Sequence, residues 1–250
     1  MTSTRIAVEA GIPRAHVDLA VGALAPRLVG RGPASAHVAL AAAGMVLLGG
    51  DRVHVDIDVG AGCLLEIEDI GGTVAYPSRG TPSTWTVEAT LGANAVLLWR
   101  GLPFVVADDA DVERRTAIVL ERGARAVIRE TLVLGRHGER GGRLVSESTV
   151  SDAEGPILAE RLELHGCAPE PGVLGGCRVA DTVVAVGFRP PTRPGDLVLA
   201  QPGALARHLG AHTHASPLDG VWSAWSDAAG GAGGDAAARA AEPAFSVGAP

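Results

Sequence analysis

Two glutamates occupy positions that the surrounding pattern gives to apolar side chains. In "RAVIRETLVLG", Glu130 shares the alternating phase of Ile128 and Leu132, and in "PILAERLEL" Glu160 shares the phase of Leu162. A carboxylate on a face that should be dry must be paired with a cation or have its pKa raised. Either each glutamate forms a structural ion pair with an arginine, or the glutamates line an internal polar passage.

The glycine-rich stretch "LVLGRHGERGG", which ends the first of these segments, contains Arg136 and Glu139. It could be a phosphate cradle, a catalytic pair or a structural turn. It lacks the lysine of the GxxxxGK[ST] phosphate loop, and no clear helix follows whose N-terminus could hold an anion. The phosphate cradle is therefore disfavoured, and Arg136 is a candidate structural partner for a carboxylate such as Glu130 or Glu160.

The segment "HLGAHTH" places three candidate metal ligands, His208, His212 and His214, close together. Such a group could bind a borderline ion such as Ni²⁺ or Zn²⁺ transiently, whereas solvated loop histidines are the common alternative. We expect no tightly bound cofactor.

No pattern of a catalytic centre occurs in the chain. G-x-S-x-G and HExxH are absent, and Cys63, Cys167 and Cys177 lie far apart without a reactive signature. All 21 positive charges are arginines, which excludes a Schiff-base lysine or a lysine general base. The sequence therefore predicts that the chain is not an enzyme.

The net charge and the length of the apolar runs restrict the possible binding partners and the cellular compartment of the protein. A net charge of −7 argues against a nucleic-acid partner. The longest apolar run, "VALAAAGMVLLGG", is shorter than the ~18 to 20 residues of a membrane helix. Arg5 and Glu9 precede any apolar run, which argues against a signal peptide, and the odd cysteine count fits a reducing compartment. We expect a cytoplasmic protein without a membrane partner.

The elements that position these residues are short strands, from about residue 36 to 190. "RVHVDIDVG" and "STWTVEATL" alternate apolar and polar residues with period two. Val127 and Val133 add a second apolar phase to the strand of Glu130, which predicts that both of its faces are covered. Further strands are predicted in "LLEIED", "AVLLWRG", "PFVVA", "RTAIVLE", "RLVSESTVS", "PILAERLEL" and "TVVAVGF". Such spacing predicts a mainly β fold, as a sandwich, a barrel or stacked layers.

The pattern changes after "RPPTRPGD". "PGALARHLGAH" has the Pro, Leu and Gly positions of a short helix, and "PLDGVWSAW" predicts a second one. From residue 227 onward the Ala/Gly-rich composition predicts a flexible tail. We therefore expect one mainly β domain over residues 1–226 and a tail over 227–250.

Several of these segments together resemble the urease accessory proteins called UreD or UreH. The strongest part is the block from Leu98 to Gly142, which combines a Leu-Trp/Pro-Phe segment, a "T-x-I-x-L-x-x-GA" strand and an "E-x-x-x-x-GR-x-GE" turn. Other matching stretches are "LLGGD", "VHVDIDVGAGCLLEI", "GTVAYPSRG" and "GALARHLGAH". The segment "IEDIGGTVAYPS" departs from the family pattern, since it carries Glu68, Asp69 and Val74 in a region that is often Thr-rich and basic.

The resemblance implies a stacked-layer β fold with a small helical element and a role in maturing the nickel centre of urease. It implies binding to the urease structural subunits (apo-urease) and recruitment of a UreF-like protein, which holds a UreG-like GTPase. It also implies passage of Ni²⁺ through an internal polar channel. The candidates for the channel lining are Glu66, Glu130, Glu139, Glu147 and Glu160. The resemblance also implies that "GRHGERGG" is a family-typical turn, with Arg136 structural and Glu139 near the passage or at a partner surface.

Two other functions fit a β protein of this composition. One is a small-molecule-binding protein or enzyme with a cavity between sheet layers, which would have a closed pocket and a strongly perturbed acid. The other is an interaction module unrelated to nickel. The missing catalytic motifs count against the first, and the block from Leu98 to Gly142 counts against the second.

Overall fold

The computed structural model describes residues 3–168, 170 and 172–231. Two β-sheets pack face to face, and one α-helix, α1 (Asp219–Gly230), lies on the outer surface of the larger sheet. Within the described residues, the smaller sheet, sheet A, has seven strands in the spatial order β14 (Gly155–His165), β13 (Arg143–Asp152), β11 (Asp111–Leu120), β8 (Ser83–Leu91), β5 (Arg52–Val59), β1 (Thr4–Glu9) and β2 (His16–Ala20).

The larger sheet, sheet B, has ten strands in the same described part of the chain. Its main order is β16 (Leu197–Val198), β17 (Gly203–Gly210), β15 (Val179–Val186), β12 (Arg125–Leu134), β9 (Val96–Arg100), β6 (Leu64–Asp69), β4 (Ser35–Ala42) and β3 (Leu24–Gly32). Beside this path, β10 (Phe104–Val106) pairs in parallel with β12 and with β7 (Thr73–Ala75).

The chain winds between the two sheets like a flattened β-helix. Strands β5, β8, β11 and β13 are parallel neighbours in sheet A. Strands β4, β6, β9 and β12, which alternate with them along the chain, are parallel neighbours in sheet B. Parallel strands need a crossover, and here the crossover is a strand of the opposite sheet. The expected mainly β, stacked-layer fold is confirmed.

Period-two alternation decides which side chains enter the space between the sheets. In β5 the alternate residues Val53, Val55, Ile57 and Val59 are buried between the sheets. The residues between them, His54, Asp56 and Asp58, point outward from the other face of the strand. In β12 both faces are covered, as predicted. Ala126 and Leu132 pack in the core between the sheets, and Val127 packs in the cluster beneath α1.

A buried polar network fastens α1 to the outer surface of sheet B. The Asp181 side chain is only 1% exposed, and it accepts hydrogen bonds from Arg129, Thr131 and Ser216. Arg129 also contacts Asp219 in the first turn of α1. Burial alone would raise the pKa of Asp181, but the hydrogen bonds from Arg129 and Ser216 outweigh it and lower the pKa. The carboxylate is therefore ionised at neutral pH and is well paired.

The helix expected over "PGALARHLGAH" is wrong, because residues Gly203–Gly210 form strand β17. This strand pairs along its whole length with β15, and Ala204 and Ala206 are buried beneath α1. Tertiary pairing overrides the local helix signals. The helix expected over "PLDGVWSAW" is present as α1. The strands β1, β2 and β3 precede residue 36, where we expected the strand pattern to begin.

The boundary expected between residues 226 and 227 does not end the ordered elements. Helix α1 continues to Gly230, so residues 227–230 are helical rather than part of a tail. The rest of the expected tail, residues 232–250, lies outside the described residues. None of the helices in the described ranges is both long enough and apolar enough to cross a membrane.

Candidate functional site

A line of polar side chains crosses the otherwise apolar space between the two sheets. On sheet B, Glu130 of β12 lies directly beside Thr182 of β15, which lies beside Arg207 of β17. Asp69 ends β6 on the core side of the same sheet, in the phase of Ile67. Two residues of sheet A, Arg114 on β11 and Glu160 on β14, complete the group. We call these six side chains the interlayer row: Asp69, Arg114, Glu130, Glu160, Thr182 and Arg207.

Glu130 is bound by an arginine from the opposite sheet. Nη2 of Arg114, on β11, lies 2.6 Å from Oε1 of Glu130, and the two side chains are 10% and 22% exposed. Arg114 shares the phase of the buried residues Val112 and Ile118, so its strand directs it into the core. The Arg114 guanidinium also lies over the ring of Phe104, 5.5 Å from its centroid.

Glu160 forms a bidentate ion pair with Arg207, and this pair also links the two sheets. Arg207 Nη1 and Nη2 donate to the two oxygens of Glu160, at 2.9 and 2.6 Å. The Nε of the same arginine donates to Oγ1 of Thr182 at 3.0 Å. Because Thr182 lies beside Glu130, the structure places both sequence-predicted glutamates in one continuous polar line.

Asp69 lies at the end of the interlayer row that contacts Trp99 and Leu102. Burial raises its pKa, although Trp99 Nε1 and the backbone N–H of Leu102 donate hydrogen bonds to it at 3.1 and 3.0 Å. The positive charge of Arg114 acts in the opposite direction, to lower the pKa. Asp69 therefore takes up a proton more readily than an exposed aspartate does.

A small cavity of about 30 Å³ lies at the Asp69 end of the row, between Asp69, Glu130, Arg114, Trp85 and Thr116 among others. Trp85 Nε1, Arg114 Nε and Nη1, and Thr116 Oγ1 are buried there without a hydrogen-bond partner in the described part of the chain. A polar cavity above ~10 to 15 Å³ can hold water. The cavity therefore has room for a few water molecules, which would pair with these donors.

Two of the predicted glutamates lie on the outer faces of the sheets. Glu66 alternates with the buried residues Leu65 and Ile67, so it lies on the outer face of sheet B. Glu147 lies on the outer face of sheet A, is exposed, and pairs with Arg161 across the strands at 3.3 Å. The phase of each strand relative to the core, which only the fold shows, places both of them away from the row.

The glycine-rich stretch is a tight turn between β12 and β13, as predicted. Arg136 Nε donates to Glu139 Oε1 at 2.8 Å, and the backbone N–H of Arg136 donates to the other oxygen at 2.9 Å. Together these bonds lower the pKa of Glu139 to about 2. Gly135 has a φ of +73° and lies close to the backbone of Glu139 and Gly141, which leaves no space for a side chain. Arg136 is thus the partner of Glu139, not of Glu130 or Glu160.

The three C-terminal histidines do not assemble a metal site. The rings of His212 and His214 stack with centroids 5.2 Å apart, and His208 lies on β17 beside Asp181. Among the described residues, the group of three potential ligands with mutually close donor atoms is another one, His54, Asp56 and Glu88. The expectation that His208, His212 and His214 form a joint site is therefore not supported by their placement.

Comparison with known proteins decides the family. The family model described as UreD urease accessory protein matches residues 23–240. The chain belongs to the UreD family of urease accessory proteins. It is 39% identical over 215 residues to urease accessory protein UreD 1 of Streptomyces griseus subsp. griseus, which covers 82% of this chain and 84% of that protein. It is 34% identical over 230 residues to UreD 3 of the same organism, with coverages of 83% and 84%.

A third relative is urease accessory protein UreD 1 of Saccharopolyspora erythraea, 37% identical over 178 residues, 69% of this chain and 66% of that protein. These names describe accessory proteins rather than enzymes, which confirms the expectation that this UreD-family chain is not an enzyme. The resemblance stated from the residues is likewise confirmed.

Three of the charged side chains in the interlayer row were not identified from the sequence. Asp69 shares its phase with Leu65 and Ile67, which is the same signal that identified Glu130. Arg114 likewise follows Val112 in the buried phase of its strand. Both could have been found by applying the phase test to every strand of this UreD-family chain. Arg207 could not, because its segment was expected to be a helix.

Proposed function

We propose that this chain is a cytoplasmic scaffold for maturation of the urease nickel centre. In this proposal it binds apo-urease, recruits a UreF-like protein and through it a UreG-like GTPase, and lets Ni²⁺ cross between its sheets along the interlayer row. Membership of the UreD family supports the connection with urease. The three cysteines are unpaired, which agrees with a reducing compartment.

The single observation that carries the proposal is the interlayer row itself. Three carboxylates, those of Asp69, Glu130 and Glu160, lie with their arginine partners in a core made mainly of apolar side chains. Carboxylate and hydroxyl oxygens bind divalent cations, but a conduit must bind them weakly. Glu130 and Glu160 are each held by an arginine, so an entering Ni²⁺ competes with a guanidinium at both. That competition keeps the binding weak enough for the ion to move on.

The alternative of a small-molecule pocket between the layers has little support. Pockets for such ligands measure about 300 to 1,000 Å³. The cavity beside Asp69 measures about 30 Å³, and the larger one near Glu139, His165 and Cys177 measures about 210 Å³ at the edge of the fold. The space between the layers suits water and ions better than an organic substrate.

The partner part of the proposal is tested by co-purification. The tagged chain is expressed with the urease structural subunits and the UreF- and UreG-like proteins, and the eluted proteins are quantified. We expect the urease subunits and both partners to elute with the tagged chain. Elution of the chain as a soluble monomer without any of them would contradict the proposal, and the chain would then be screened for a small ligand.

The passage part is tested with Glu130→Gln and Glu160→Gln, each expressed in the complete set of proteins. Glutamine keeps the shape and one oxygen but removes the charge, so we expect complexes to form normally while nickel per urease active site falls several-fold. Glu147→Gln, on the outer face of sheet A, is the matched control and should leave the nickel content unchanged. Nickel is measured by mass spectrometry of purified urease.

Arg114→Met separates a passage from a purely structural ion pair. It removes the competing guanidinium but leaves the Glu130 carboxylate. If the carboxylate carries the ion, removing its competitor should tighten the binding, so purified Arg114→Met should retain more Ni²⁺ than wild type, whereas Glu130→Gln should retain less. Equal Ni²⁺ retention in both variants, or loss of the complex with urease, would show that the pair only holds the sheets together.

A further inference from the structure

Three potential metal ligands converge on the outer face of sheet A, away from the interlayer row. His54 and Asp56 are two residues apart on β5, and Glu88 is the direct neighbour of Asp56 on β8. Their donor atoms all lie within 4.8 Å of one another. His54 Nε2 is 2.8 Å from Asp56 Oδ1 and 3.5 Å from Glu88 Oε2.

These distances match the spacing of ligands around one ion. Imidazole nitrogen and carboxylate oxygen bind Zn²⁺ and similar ions at about 2.0 to 2.1 Å, so two ligands at right or tetrahedral angles lie about 2.9 to 3.4 Å apart. The two distances from His54 Nε2 fall close to this range. Small rotations of the exposed Glu88 side chain are enough to complete the geometry.

The backbone holds the three side chains in register. β5 and β8 are parallel neighbours paired from Arg52 to Val59, and each ligand points outward from a strand whose opposite face is buried in the core. The second oxygen of Asp56 accepts a hydrogen bond from the hydroxyl of Ser3, the kind of outer contact that orients a metal-ligating carboxylate.

The charge of the cluster also suits a cation. Asp56 and Glu88 are both carboxylates, and His54 adds an imidazole nitrogen. Arg5, whose charge acts on Asp56, is itself bound by Asp58 at 2.6 Å.

We propose that His54, Asp56 and Glu88 form a surface site for one divalent transition-metal ion. One nitrogen and two oxygen ligands favour an ion of borderline hardness, such as Ni²⁺, Co²⁺ or Zn²⁺, with water in the remaining positions. The site lies on the opposite side of sheet A from the interlayer row, so it stands whether or not Ni²⁺ crosses between the sheets.

The test is calorimetric titration of the full, untagged chain with NiCl₂ and with ZnCl₂. We expect the wild-type chain to bind one equivalent that His54→Ala, Asp56→Asn and Glu88→Gln each lose or bind at least about tenfold more weakly. The matched control is His37→Ala, because His37 lies on the other sheet, 3.3 Å from Glu68, and belongs to no group of three close donors among the described residues; this variant should retain the full equivalent. Any metal taken up near His212 and His214 is common to all of these variants.

Equal stoichiometry and affinity in the wild-type chain and the three ligand variants would overturn the proposal. A second measurement covers the case in which a variant fails to fold. Adding Co²⁺ to the labelled wild-type chain should broaden the amide resonances around His54, Asp56 and Glu88 before those of other regions. Broadening that spares these two strands would equally overturn the site.

Discussion

At the scale of single residues, Glu139 shows how one carboxylate makes a turn sensitive to acid. Its pKa is lowered from 4.5 to about 2, first by the hydrogen bond from the Arg136 side chain and then by that from the Arg136 backbone. A group whose pKa is lower in the folded state stabilises the fold above its unfolded pKa, and this contribution is lost as the pH falls through the folded value.

We therefore predict that wild type is more stable than Glu139→Gln at pH 7, and that this difference shrinks between pH 4.5 and pH 2. The free energy of unfolding is measured by urea titration at several pH values. Glu147→Gln, which changes an exposed carboxylate on the outer face of sheet A, is the control and should show little difference at any pH. A difference for Glu139→Gln that stays constant down to pH 2 would contradict the assignment.

At the scale of elements, the turn between β12 and β13 depends on backbone contacts that no side chain can enter. A Cβ on Gly142 would collide with the backbone of Ala110, at the point where β11 begins beside β13. Gly142 needs no positive φ, so the requirement for glycine here is one of space alone.

Gly142→Ala should accordingly destabilise the protein by about 1 to 3 kcal/mol, since the added methyl forces the two backbones apart. Gly44→Ala is the matched control, because a Cβ at Gly44 meets nothing within 4 Å and should change the stability little. Thermal and urea unfolding of both variants measure the effect. Equal stability of the two variants would show that the turn can shift to accommodate a side chain.

The element scale also explains the one secondary structure that the sequence misassigned. "ALARHLG" carries helix-forming residues and a glycine stop, but β15 offers it a complete antiparallel partner, and α1 covers Ala204 and Ala206. The gain from that pairing and burial exceeds the local preference. The consequence is functional as well, because only a strand directs Arg207 toward Glu160.

At the scale of the whole molecule, the Glu160–Arg207 pair joins the two sheets near one side of the sandwich. β14 is an edge strand of sheet A, and β17 lies one strand from the edge of sheet B. On the other side, the chain itself connects the sheets through β2 and β3, and Thr4 of β1 exchanges hydrogen bonds with the backbone of Leu24 on β3. The ion pair therefore adds a side-chain link between the sheets on the side opposite β2 and β3.

Arg207→Met should leave the Glu160 carboxylate, 28% exposed, without its partner and cost ~1 to 3 kcal/mol. We expect amide hydrogen exchange in β14 and β17 to become roughly tenfold faster, while exchange in β5 and β8 changes less. Arg161→Met, which removes an exposed arginine from the outer face of β14, is the control and should leave exchange unchanged. Uniform acceleration in every strand would mean that the pair acts on global stability only.

The sequence by itself determined the features that depend on the order of neighbouring residues along the chain. Period-two alternation predicted the strands over "RVHVDIDVG" and "STWTVEATL", which form β5 and β8, and it put Glu130 and Glu160 on core-facing phases. The block from Leu98 to Gly142 indicated the UreD family. These inferences succeeded because alternation and motif spacing are properties of neighbouring residues, and neighbours along a strand keep their relation in any fold.

Only the tertiary structure decided which distant residues meet. Arg114 reaches Glu130 and Arg207 reaches Glu160 across the space between the sheets, and β8 brings Glu88 to His54 and Asp56. The same packing put Glu66 and Glu147 on outer faces, since a strand's pattern shows two faces without showing which one is covered. Pairing between segments that are far apart in the chain depends on register and sheet order, which local sequence does not contain.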